Sequence, residues 1–170
     1  MLLFRNMSTK NARGILQRIC CAVILGAGVI PQVVQAEEAS FPPLSLSQAR
    51  RLAQAAEKRA ASNQTSIVVT VVDPSGQPIL VERMAGAQLA SIDLSQRKAV
   101  SAVFYKRPSA AFEAALSGGK MAVLALPHAM PAGGGVPIFR NTQLVGGIGV
   151  SGGNNAQDAD AANTAVGALK

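Results

Sequence analysis

The stretch Ile67-Val-Val-Thr-Val-Val72 is β-branched throughout and apolar at every position except Thr70. It lacks the polar-apolar alternation of a strand with one wet face. A strand of this kind needs cover on both sides, which predicts the centre of a sheet lying between two layers. Asp73-Pro-Ser-Gly76 follows, with Asp first, Pro second and Gly fourth, the residue order of a tight turn. Gln77 to Arg83 then returns as a second strand, closing a hairpin. Asp73 is accounted for as a turn residue before any catalytic role is needed.

The elements on either side are helical. Ser45 with Gln48 three places on forms a capping box, and Leu46, Ala49, Leu52, Ala53, Ala56 and Ala60 recur at helical spacing, predicting a helix over 46–62. A second helix is expected over Ile92 to Lys106, capped by Ser91, with Ala99, Val100, Val103 and Phe104 facing inward. Pro108 stops it, and a short helix over 110–116 ends at Gly118-Gly119. Met121 to Leu126 reads as a third strand. Pro137 to Arg140 and Gln143 to Val150 read as a further hairpin, and Ala156 to Leu169 as a last helix capped by Asn155. Hairpin-built strands with helices over them give an α+β fold of about five strands. Gly146, Gly147 and Gly149 weaken their strand, so a neighbouring backbone, a ligand or a subunit contact is expected close to them.

The amino end has a different purpose. Arg5, Lys10, Arg13 and Arg18 precede an uncharged run from Ile19 to Ile30, then Pro31 and the small residues of Val34-Gln35-Ala36. This is the layout of a secretory signal peptide over 1–36, with a flexible leader over 37–43 and a domain over 44–170. The apolar run is too short for a bilayer span of roughly 20 residues. The expected product is periplasmic or secreted, with no stable membrane anchor. Losing the four basic residues lowers the net charge from +7 to +3, which removes the main argument for nucleic acid as a partner. Cys20 and Cys21 leave with the segment, which excludes thiolate chemistry and Cys-ligated metal in the remainder.

From Leu44 to Leu169 the chain resembles the GlcG/HbpS-like family of haem-binding and haem-degrading proteins, also seen as the C-terminal part of PduO-type corrinoid adenosyltransferases. The stretches that carry the resemblance are Val68 to Gly76, Arg83 to Ala87, Ala90 to Asp93, Lys98 to Pro108, Gly134 to Ile138 and Leu144 to Gly152. The resemblance implies a profilin-like domain with a five-stranded antiparallel sheet flanked by helices. It also implies a homo-oligomer with ligand sites near subunit contacts. Two departures stand out. His128 occupies a loop position where the family often has glycine. The first helix has no histidine, where PduO-type haem domains are expected to place an axial ligand.

His128 is the only histidine and Tyr105 the only tyrosine. Imidazole and phenolate both ligate haem iron, and imidazole also binds a bare metal or moves a proton. Both residues equally suit plain structural roles, a surface histidine and a helix-end tyrosine. Arg97 and Lys98, with Lys106 and Arg107, could pair with haem propionates or stay as solvated helix charges. Gly133-Gly-Gly135 and Gly146-Gly-Ile-Gly149 lack the context of a phosphate-binding loop, while Gly152-Gly153 could form an anion nest before a helix. No nucleophile elbow and no paired catalytic acids are present. The expectation is an exported haem-binding protein with haem-protective or haem-degrading action. The alternative is an accessory enzyme or ligand carrier in catabolism of a small organic acid or aromatic compound. No residue pattern assigns turnover.

Overall fold

The structure, a computed structural model, describes residues 41–169; the expected signal segment and residues 37–40 of the leader lie outside them. In chain order the elements are α1 (Leu46–Ser62), β1 (Val68–Val72), β2 (Pro78–Arg83), α2 (Ala90–Tyr105), α3 (Ala110–Ser117), β3 (Gly135–Arg140), β4 (Gln143–Ser151) and α4 (Asn155–Gly167). A 3₁₀ turn at Met121–Ala125 links α3 to the loop before β3. The strands form one antiparallel sheet in the order β2-β1-β4-β3. Every residue of β1 is buried, as a strand covered on both faces must be.

The two covers differ in chemistry. On one face α1 and α4 bring alanines, among them Ala49, Ala53, Ala56, Ala161 and Ala165, against Val69, Val71, Ile138, Val145, Ile148 and Val150. On the other face α2 lies directly on β4 and β3. A β-carbon added to Gly149 would collide with the Ser95 carbonyl of α2 and would lie 2.7 Å from the Ala99 nitrogen. One added to Gly135 would meet the Lys98 carbonyl. Close backbone approach therefore accounts for the weak, glycine-bearing strand. Its glycine face is covered within the chain and is not free for a subunit contact.

The profilin-like five-stranded sheet is not what forms. The sheet has four strands, flanked by four helices. The missing strand is Met121 to Leu126, which winds into the 3₁₀ turn. Its residues explain the difference. Only Val123 is β-branched and only Val123 is buried, and Ala, Leu and Met favour helical over extended backbone.

Two helix starts also differ from expectation. The second helix begins at Ala90, so Ser91 lies inside it and is buried, with no side-chain cap at Leu89. The last helix is capped by Asn154. Gln157 lies three residues on and completes a reciprocal capping box, at 2.9 and 3.0 Å, which Asn155 could not share. The α1 box forms as expected, with the Gln48 amide donating to the Ser45 hydroxyl and the Ser45 amide to Gln48 Oε1 at 2.9 Å. Within the leader stretch, Phe41 is held by both backbone groups. Its amide donates to Gln143 Oε1 at 2.7 Å, and Gln143 Nε2 donates to its carbonyl at 2.8 Å.

Candidate functional site

The outward face of α2 presents Asp93, Gln96, Arg97 and Val100, spaced at one and two helical turns. Leu124 and Leu126, from the 3₁₀ turn and its end, stand opposite, and His128 and Ala129 close one side. Together they line an open cleft of about 370 Å³. Arg97 and Asp93 approach to 3.7 Å across one turn, both largely exposed. Such a pair is worth little in water, so the guanidinium is available to an anionic ligand.

His128 is placed by a tight turn. The Ala129 amide donates to the Leu126 carbonyl at 3.2 Å, with Pro127 second and His128 third in the turn. His128 has φ +62°, the left-handed conformation that the third position of a type II turn takes and that glycine usually supplies. For a residue with a β-carbon that conformation costs roughly 1–2 kcal/mol. The imidazole meets the Phe104 ring edge-on, with centroids 4.8 Å apart. Phe104, expected to face inward, is instead 47% exposed and supports the histidine.

The proline- and glycine-rich loop carrying His128 is tied down at each stage. The Tyr105 hydroxyl donates to the Pro127 carbonyl at 2.6 Å. The Met130 amide donates to the Ser101 hydroxyl at 3.0 Å. Buried Ser109 donates to the Ala132 carbonyl at 2.6 Å and accepts from the Gly135 amide at 2.8 Å. Glu113 accepts from the Gly133 amide and from Asn155 Nδ2, both at 2.8 Å. These bonds fix a segment whose composition gives no regular element of its own.

Of the residues singled out in the sequence, His128 and Arg97 meet at the cleft. Tyr105 does not line it; its ring packs edge-on against Phe112 and its hydroxyl holds the loop. Lys98 points through the other side of α2. Its ammonium is buried and donates to Asp158 Oδ2 at 2.8 Å and to the Val150 carbonyl at 3.1 Å. The Gly152-Gly153 nest is filled from within, since the Gly153 amide donates to Asp158 Oδ1 at 2.9 Å. Among the described residues no group of three His, Cys, Asp or Glu side chains could hold a metal ion. The carboxyls with shifted acidity lie elsewhere. Burial and the neighbouring Glu82 push Glu57 up. At Asp73, burial acts upward but is outweighed by hydrogen bonds from the Ser75 side chain and the Gln77, Ser75 and Gly76 amides, which hold the carboxyl low. The hydrogen bond from Arg59 lowers Asp160 against a smaller effect of burial, with Asn63 and the Arg59 charge adding to it.

A family model described as haem degrading protein HbpS-like matches residues 44–167. The chain belongs to the HbpS-like family. It is 35% identical over 131 residues to the corrinoid adenosyltransferase PduO of Citrobacter freundii, covering 74% of this chain but only 39% of PduO. A crystal structure of a PduOC–haem complex aligns with a TM-score of 0.67 and 33% identity, covering 74% of this chain and 94% of that one. A double mutant of Streptomyces reticuli HbpS aligns with a TM-score of 0.70 and 25% identity, over 95% and 99% of the two chains.

In this HbpS-like chain, the cleft residues Asp93 and Gln96 share a helix face with Arg97 that the sequence makes legible, whereas Val100, expected to face inward, lines the cleft instead. Leu124 and Leu126 were hidden by the reading of their segment as a strand. Nothing local in the sequence pointed to Ser109 or Glu113, whose partners lie 20 to 42 residues away.

Proposed function

We propose that this protein is an exported haem-binding protein, periplasmic or secreted, that holds haem at the His128 cleft. The observation that carries the reading is His128 itself. A strained left-handed residue is kept at the mouth of the cleft by a loop anchored at several points, and such strain concentrates at functional positions. The imidazole is a haem-iron ligand by type. Arg97 supplies a cation for a propionate, and Val100, Leu124, Leu126 and Ala129 supply apolar wall. His128 would hold the iron of a porphyrin and Arg97 a carboxylate, in a cleft near the low end of the roughly 300–1,000 Å³ of small-molecule sites. Exposed Met121 and Leu124 extend the apolar surface beyond it. Haem would supply the redox-active iron; the chain orients it, pairs its carboxylates and shields one face from water. The related PduOC–haem complex supports the same ligand. Capture, protection or breakdown of haem are the roles that follow, in a homo-oligomer.

The cleft volume favours one second reading. A small aromatic or organic acid would fit wholly inside, with its carboxylate on Arg97, as in a ligand carrier or accessory enzyme of catabolism. A haem titration decides between them. Haem binding predicts a saturable visible-band shift at about one haem per chain or pair of chains, undiminished by excess benzoate. The absence of a saturable shift would contradict it and favour the small-acid reading.

A further inference from the structure

A second cleft, of about 360 Å³, lies on the opposite side of the sheet from α2, where edge strand β3 meets the end of α4. Its walls are Phe41, Ile138, Phe139, Val166 and Leu169, with Asn141 at the side, and among the described residues Arg140 is the single ionisable side chain that lines it. Phe41 is not there by chance of a loose chain end. The two hydrogen bonds to Gln143 fix its backbone, so its ring forms a standing wall. Arg140 is half-buried, and no carboxylate pairs with it among the described residues. A guanidinium beside an apolar cleft can take an anion there, and its planar fork matches the two-oxygen geometry of a carboxylate.

We propose that this cleft binds a small amphiphilic monocarboxylate, with the aromatic or branched apolar part between Phe41 and Leu169 and the carboxylate on Arg140. Charge complementarity selects this occupant. An uncharged apolar molecule would leave the guanidinium unpaired, and a polar anion would waste the five apolar walls. The inference is independent of the haem reading, because the two clefts lie on opposite sides of the sheet and share no residue.

The test is a titration of the isotope-labelled protein, expressed from the full chain, with naphthoate and, separately, with the uncharged naphthalenemethanol. Backbone amide signals are followed. The proposal predicts saturable shifts centred on Phe139, Arg140, Val166 and Leu169 with naphthoate, and binding weaker by about ten- to a hundredfold for the alcohol. Arg140→Met should weaken naphthoate by a similar factor, and Arg140→Lys should restore part of it. The alcohol arm needs no variant, so the proposal stays testable if a variant folds poorly. Three results would overturn it: shifts confined to the His128 cleft, equal binding of acid and alcohol, or shifts of the same amides on dilution without probe, which would assign the cleft to a second copy of the chain.

Discussion

His128 shows how one residue can be both a liability and a tool. Its left-handed backbone is unfavourable for any residue with a β-carbon, so His128→Gly is expected to leave stability unchanged or raise it by up to about 1 kcal/mol. Thermal unfolding checks this; a clear loss of stability would mean the imidazole's contact with Phe104 outweighs the strain. Gly149 is the opposite case. The α-hydrogen that stands where a side chain would be faces the α2 backbone, which cannot yield as a flexible side chain could. Gly149→Ala should destabilise by about 1–3 kcal/mol or more, measured by denaturant unfolding, and an unchanged midpoint would contradict the close approach. At Asp73 the folded carboxyl is held below its ordinary value. Its stabilising contribution is therefore present above the unfolded value and is lost as pH falls through the folded one. Asp73→Asn should be less stable than the natural protein at neutral pH, with the gap narrowing in acid. A gap that widened in acid would be the wrong sign.

At the scale of elements, α2 is the piece on which the molecule turns. One face is buried against glycines, another carries the cleft, and a third sends Lys98 to Asp158 of α4. That buried pair ties α2 to the start of α4 behind the loop that carries His128. Lys98→Met leaves a carboxylate buried without its cation, so a loss of about 3–5 kcal/mol is expected in chemical denaturation. A loss below about 1 kcal/mol would show that Asp158 is satisfied by the Gly153 amide alone. This reach is not legible in the sequence, where Lys98 and Asp158 lie 60 residues apart and nothing local joins them. The hairpin at Asp73 and the helix with the Ser45 box were legible, because turn chemistry and capping act over three or four residues. Met121 to Leu126 was misjudged for the converse reason. Its apolar content says that it packs, but only its weak β-branching and its tertiary setting decide that it coils.

Over residues 41–169 the protein is a four-stranded sheet between unlike covers, with a cleft on either side of it. The alanine side and the glycine side both rely on small residues to bring helices close to the sheet. The cleft over α2 brings together His128 and Arg97, two residues that a resemblance alone did not join. The chain belongs to the HbpS-like family and spans about two-fifths of PduO.

The measurement that bears most directly on this account is the visible spectrum of His128→Ala beside that of the unaltered protein, each titrated with haem. The account predicts that the unaltered protein gives a saturable ligated-haem band and that the variant, still folded by circular dichroism, loses it or binds at least about tenfold more weakly. An identical band and affinity in the variant would contradict the assignment of His128 and of its cleft.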